Sequence, residues 1–314
     1  MSERVRLGNS DLQVFPINLG GNTFGWTSDE AESHAVLDAY VAAGGNFVDT
    51  ADVYSAWVEG HSGGESETVL GSWLRGRSDR SELVIATKVA QHPEFKGLKE
   101  ATVRAGLEAS LRRLQTDYLD LYYVHFDYPE VPIEEIASTF SALVDEGKIR
   151  YAAMSNMAPE RIREWMRFAA AENLHAPVAL QPRYNLMERS YEQEFAPVAA
   201  EFNLGVLPYN AMARGFLTGK YREGVEVQSA RAETGYGYLA LDRGKRVLAA
   251  LDQVAAAHGA ELGSVSLAWL LAKPTVTAPI SSARTLEQLP GILASVTLRL
   301  TEDELKALDE ASEN

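Results

Sequence analysis

Eight short apolar runs punctuate this chain, with helix-like stretches between them, and that alternation restricts the fold more than any other property. The runs are INLGG (17–21), NFVDT (46–50), LVIAT (83–87), LDLYYVH (119–125), IRYAAMS (149–155), VALQP (178–182), LGVLPY (204–209) and VTAPI (276–280). Each is bounded by polar or turn residues, as strands buried on both faces are. Several successive runs begin roughly 30 residues apart, the spacing that repeated βα units need. Between them, SDEAESHAVLDAYVAAGG reads as a helix with Ser28 as N-cap and two glycines at its end. LKEATVRAGLEASLRRLQ sets Val103, Leu107, Leu111 and Leu114 on one stripe, and APERIREWMRFAAAE opens with Pro159 in its first turn. Ahead of all this, VRLGNSDLQV reads as two short strands around a turn. The predicted fold is α/β: a (β/α)8 TIM barrel, one domain over residues 1–314, with an N-terminal β-hairpin across its bottom and long loops on its C-terminal face. Residues 210–243 are the main irregularity. REGVEVQSARAETGYGYLALDRG is polar and weakly periodic, and is read as a long loop of the kind that covers a site.

Charge and composition narrow the function. Aspartate and glutamate number 44 against 29 lysines and arginines, a net charge of −15. Such a surface repels phosphate backbones and anionic bilayers, so nucleic acid and membrane are not expected partners. An anionic cofactor needs a local basic pocket instead. The chain has no cysteine, which excludes disulfides, zinc thiolates and thiol nucleophiles. MSERVRLGNS lacks the apolar stretch of a signal peptide, and no segment approaches ~18 uninterrupted apolar residues. The expectation is a cytoplasmic protein, with monomer and homo-oligomer equally open.

In a parallel barrel the chemistry collects at the C-terminal ends of the strands. Asp49 ends the second run, Lys88 follows the third, His125 ends the fourth, Ser155 and Asn156 the fifth, Gln181 the sixth and Tyr209 the seventh. Tyr54 lies on the loop beyond Asp49. Each residue alone has an ordinary explanation: a turn cap, a solvated lysine, a packed histidine, a rim aromatic. Together they form a polar ring on one predicted rim. Bringing a tyrosine from about 10 to about 7 takes about 4 kcal/mol. One ammonium about 4 Å away supplies about that much at an effective dielectric of 20. Lys88 is the candidate ammonium, Asp49 the carboxylate that holds it, Tyr54 the proton donor, and neutral His125 the group that orients a carbonyl oxygen. The ring contains neither a covalent nucleophile nor a metal-ligand cluster. A proton donor of this kind suits carbonyl reduction with hydride from a cofactor.

With these residues in NFVDTADVY, IATKV and LYYVH, the sequence closely resembles the aldo-keto reductase family over nearly its whole length. Its Asp-Tyr-Lys-His tetrad falls on Asp49, Tyr54, Lys88 and His125. The resemblance implies NADPH-dependent reduction of a small aldehyde or ketone, reversible, with Tyr54 as general acid and NADH as the alternative cofactor. It implies that Ser155, Asn156 and Gln181 bind the nicotinamide amide, with Tyr209 stacked on its ring. Gly21 and Asn22 approach the nicotinamide ribose, and Gly215 and Lys220 in ARGFLTGKY the pyrophosphate. Ser282, Arg284 and Gln288 in PISSARTLEQL face the adenosine end, where Arg284 suits a 2′-phosphate. Trp26, Tyr54, Trp57 and His125 are the expected substrate-binding residues, an aromatic mouth suited to hydrophobic or sugar-like carbonyls. The chain departs from the family pattern at Ser282, at Gly291-Ile292, at Asn210-Ala211 and at Phe126.

Three other readings compete with this one. A metal-dependent hydrolase needs converging histidines, and the six here are scattered. A dinucleotide fold of the strand–G-x-G-x-x-G–helix type lacks its fingerprint. A cofactor-binding, redox-sensing auxiliary subunit with little turnover keeps the same tetrad, and stands as the alternative function.

Overall fold

The computed structural model describes residues 3–313. Two short antiparallel strands come first, β1 (Val5–Arg6) and β2 (Gln13–Val14). Eight parallel strands follow: β3 (Asn18–Gly20), β4 (Phe47–Asp49), β5 (Val84–Val89), β6 (Leu119–Val124), β7 (Ile149–Ser155), β8 (Ala179–Gln181), β9 (Gly205–Val206) and β10 (Ile280–Ser281). Each pairs with the next from β3 to β9, and β10 returns to pair with β3. The remaining seam closes through Thr277 N–H to Val206 O (2.8 Å) and Ile280 N–H to Pro208 O (2.8 Å). The result is a closed (β/α)8 barrel. The last run contributes its ladder strand at Ile280–Ser281, later than VTAPI implied, because only a single bridge forms at Val276.

The side-chain period of 2 along each strand explains both the core and the site. Leu19, Val48, Ile85, Val89, Tyr122 and Val124 point outward and pack with helix residues such as Val36, Leu37, Leu107, Leu111 and Phe140. Phe47, Ala86, Leu121, Ala153 and Ala179 point inward and form a separate core with Leu7, Leu12 and Val14 of the hairpin. The hairpin therefore plugs the N-terminal end. Gly8 permits the contact: a Cβ there would lie 2.3 Å from Val178 O, and its φ is +50°. Two residues beyond each inward apolar side chain come Asp49, Lys88, Tyr123, Ser155 and Gln181. They share the inward face one layer higher. Lys88 lies within β5, not after it.

The helices follow the predicted stripes: Val103, Leu107, Leu111 and Leu114 are buried on helix Glu100–Leu114, and Pro159 opens helix Pro159–Ala171. The first helix, Glu30–Ala42, is capped by Asp29 and not by Ser28. Asp29 accepts from Glu32 N–H at 2.8 Å while the Glu32 carboxylate accepts from Asp29 N–H, a reciprocal pair that a serine one residue earlier does not reach. Ser28 instead donates to Arg284 O at 2.9 Å. The stretch 210–243 is also more ordered than read, with a 3-10 segment at Ala213–Thr218 and a helix at Ala232–Leu239. Aromatic packing supplies what periodicity does not. Phe216 meets Tyr238 at 5.4 Å, Tyr221 meets Tyr236 at 5.4 Å, and Gly235 lies flat on the Tyr221 ring.

Candidate active site

Lys88 is fully buried at the centre of the barrel mouth, and all three of its N–H donors have acceptors. They reach Asp49 Oδ2 at 2.5 Å, Thr50 O at 2.8 Å and Tyr54 Oη at 3.0 Å. The other Asp49 oxygen accepts from Gln181 Nε2 at 2.9 Å. Ser155 Oγ donates to Gln181 O, and Asn156 Nδ2 donates to Ser155 Oγ and to His125 O. Tyr209 Oη donates to Asn156 Oδ1 at 2.9 Å. One hydrogen-bonded chain thus links the ends of β4, β5, β7 and β8 with the loop after β9.

These contacts set the charges. Burial works to lower the Lys88 pKa, but Asp49 and Tyr54 together outweigh it, and the ammonium is held above its ordinary value. Burial pushes the Asp49 carboxyl up, with Lys88 and Gln181 opposing. His125 is driven well below the usual imidazole range, first by burial and then by the Lys88 cation, so its ring is neutral near pH 7. Tyr54 corrects the sequence argument. Burial raises its phenol above the ordinary value; Lys88 pulls it down, and Asp49 pushes it back up. The ammonium's field is shared with the carboxylate it pairs, so it does not bring the phenol toward neutrality.

A cavity of about 580 Å³ runs from Tyr54 and His125 to Gln288 and Ile292. Its wall includes Asn22, Trp26, Asp49, Ser155, Asn156, Gln181, Tyr209, Gly215, Lys220, Ser282, Arg284 and Gln288. Three expected residues lie off this wall. Lys88 sits beneath it. Gly20 takes the place expected of Gly21, whose N–H bonds Asp49 O and whose carbonyl accepts from Ser66 Oγ. Trp57 stands outside Trp26, edge-on at 5.4 Å, and is 54% exposed. At the far end Ser282 Oγ donates to Asn22 Oδ1, and Arg284 N–H to Gln288 Oε1.

Sequence reasoning missed Arg214 and Arg231, which also line the cavity. Arg231 is held below the ordinary arginine range, by burial first and then by repulsion from Arg214 and Arg284, with Tyr221 opposing. A signal was present: neither arginine has an acid three or four residues away, in a chain with an acidic excess. Arg214, Lys220, Arg231 and Arg284 form no ion pair among the described residues. Gly215, at φ +90°, leaves bare backbone facing Lys220. Orphaned cations and exposed backbone at one end, and a cluster of amides at the other, fit a dinucleotide carrying phosphates at one end and a carboxamide at the other. Among the described residues no cluster of His, Asp and Glu is placed to hold a metal ion.

The profile of the Aldo/keto reductase family matches residues 16–313. The chain belongs to the aldo/keto reductase family. It is 31% identical to Protein tas of Escherichia coli strain K12, covering 97% of this chain and 96% of that protein. It is 32% identical to the Uncharacterized oxidoreductase YrpG of Bacillus subtilis strain 168, over 98% and 95%. It is 33% identical to a Probable voltage-gated potassium channel subunit beta of Oryza sativa subsp. japonica, over 88% and 86%. This aldo/keto reductase thus has a family background of oxidoreductases that act on small-molecule carbonyls and generally use NAD(P)H. No single described helix is long and apolar enough to cross a membrane.

Proposed function

We propose that this aldo/keto reductase reduces an aldehyde or ketone with NADPH, and oxidises the alcohol in reverse, with Tyr54 as the proton donor. The observation that carries the reading is one buried ammonium, Lys88, bonded at once to Asp49 and to the Tyr54 hydroxyl. NADPH, when bound, supplies hydride to the carbonyl carbon. Tyr54 gives its proton to the carbonyl oxygen, and its phenolate is then reprotonated from solvent. A phenol raised by burial does not hinder this: an alkoxide is a far stronger base than a phenolate, so the transfer still runs downhill. The same raised pKa keeps Tyr54 loaded with its proton at neutral pH. Lys88 stabilises the phenolate as it forms, and Asp49 holds Lys88 in place. Neutral His125 donates to the same oxygen and orients the carbonyl.

Ser155, Asn156 and Gln181 would hold the carboxamide, with Tyr209 against the nicotinamide ring and Asn22 near its ribose. Gly215, Lys220, Arg214 and Arg231 would hold the pyrophosphate. Ser282, Arg284 and Gln288 would hold the adenosine end, Arg284 favouring a 2′-phosphate. The chain, a single barrel domain over residues 1–314, acts in the cytoplasm on a small carbonyl, as monomer or homo-oligomer, without nucleic acid or membrane as partner. The decisive measurement follows loss of reduced-nicotinamide absorbance with a panel of carbonyls. Tyr54→Phe should lower kcat ~10²-fold or more, and wild-type kcat in that variant removes Tyr54 as the acid. A second reading, a cofactor-binding auxiliary subunit with little turnover, has weak support: the rice relative is named a channel subunit beta, which says nothing of cofactor or turnover. Sustained turnover by the purified protein excludes it; a single turnover with the cofactor retained supports it.

A further inference from the structure

At the end of the cavity away from Tyr54, one carboxylate stands without a partner. Glu261 lines the wall there together with Gln288, Gly291 and Ile292. It is the N-cap residue of helix Leu262–Leu271, yet its side chain does not cap that helix and forms no hydrogen bond or ion pair among the described residues. It lies over Gly291 instead. A Cβ at Gly291 would stand 2.8 Å from the Glu261 carboxyl carbon and 3.2 Å from its Oε1, so only glycine leaves the carboxylate room. Buried Ser264 fixes the two helix starts against each other, its Oγ donating to Gly291 O at 2.6 Å. Glu287, the other acid on this wall, is held below the ordinary carboxylate range by hydrogen bonding, with Thr285 first, and is therefore already engaged.

A carboxylate on the wall that also carries Arg284 does nothing for a phosphate; it calls for a donor. Gln288 supplies the complement. Its Oε1 accepts from Arg284 N–H at 2.9 Å, which leaves its NH2 to bind a ligand. One group that only accepts and one that only donates, on the same wall, match the edge of adenine, whose exocyclic amine donates beside ring nitrogens that accept. We propose that Glu261, through the opening at Gly291, accepts from the exocyclic amine of the cofactor's adenine and so selects adenine over a 6-oxo purine. This rests on the NADPH reading and adds to it a base-reading residue from outside the PISSARTLEQL segment. Hypoxanthine presents a carbonyl oxygen where adenine presents the amine, and two acceptors then face each other unsatisfied. The departure from the family pattern at Gly291-Ile292 is what lets an acid on a different helix reach the base.

The test measures dissociation constants for NADPH and for reduced nicotinamide hypoxanthine dinucleotide phosphate by fluorescence titration, without substrate. The proteins are wild type, Glu261→Gln, Glu261→Ala and Gly291→Ala. Both nucleotides carry the same phosphates, so the ratio of their affinities reports the base alone. Wild type should bind the adenine form about tenfold or more tightly, the worth of one charged hydrogen bond. Glu261→Ala should bring the ratio to within about twofold, and Glu261→Gln, whose amide can donate to a carbonyl, should bring it as far or invert it. Gly291→Ala keeps the acid and adds one methyl group inside a helix, where alanine is favoured over glycine, so the protein stays folded while its carboxylate is displaced. Its ratio should fall as well. Equal affinity of wild type for the two nucleotides, or a preference unchanged in all three variants, overturns the inference and leaves the reductase reading standing wherever carbonyls are turned over. A wild type that turns over no carbonyl, yet shows a preference lost in the Glu261 variants, keeps Glu261 as the base reader and removes the reductase reading. Binding of neither nucleotide overturns both.

Discussion

At the Tyr54 end of the cavity every donor on Lys88 has an acceptor within 3.0 Å, whereas at the other end Arg214, Lys220, Arg231 and Arg284 form no ion pair among the described residues, although Glu261 and Glu287 line the same space. The first region is complete in the protein alone. Its ammonium, carboxylate and amides hold each other in position before any ligand arrives, as catalysis by prearranged dipoles requires. The second region is incomplete, because Arg214, Arg231 and Arg284 repel one another and an anionic ligand would offset that repulsion. Changes at the first end should therefore fall on kcat and on folding stability. Changes at the second should fall on cofactor affinity.

The largest effect tests the completed end. Lys88→Met leaves Asp49 buried with Gln181 as its one side-chain partner, and should cost about 3–5 kcal/mol of unfolding free energy along with activity. Adding Asp49→Asn should recover much of that stability and none of the activity. Urea unfolding checks both, and a Lys88→Met protein as stable as wild type would break the contrast. A middle-sized effect belongs to Arg284. Its truncation to alanine should weaken NADPH about 10- to 100-fold while changing NADH much less, the worth of one charged hydrogen bond. Fluorescence titration with each nucleotide reads the difference, and equal weakening would remove Arg284 from a 2′-phosphate. The smallest effect is the sharpest for the comparison, because two signs oppose. Arg231→Gln relieves repulsion from Arg214 and Arg284, so the ligand-free protein should melt at the same temperature or slightly higher, while NADPH binds several-fold more weakly. A lower melting temperature together with unchanged NADPH affinity would make Arg231 a structural residue and the two ends alike.

The same contrast explains what could be read from the chain. Asp49, Ser155 and Gln181 were legible because a strand alternates: an inward Phe47, Ala153 or Ala179 places the residue two positions on in the same interior. Asp29 as helix cap was legible in kind but misplaced by one residue, since Ser28 and Asp29 are both good caps and only the reciprocal bond with Glu32 chooses. Helix Ala232–Leu239 was not legible, because it stands on Tyr221 and Phe216, contacts made across the fold and not along the segment.

From the sequence alone came the eightfold alternation, the hairpin before it and the ring of polar residues at the strand ends, all consequences of local spacing. Only the tertiary structure decided how the charges act. It set Lys88 between Asp49 and Tyr54 in a dry interior, raised the phenol where a lone ammonium would have lowered it, and gathered Arg214 and Arg231 from a segment without periodicity beside Arg284. Burial and the distances between charges govern each of these outcomes. Both depend on which side chains meet in space, and spacing along the chain does not contain that information.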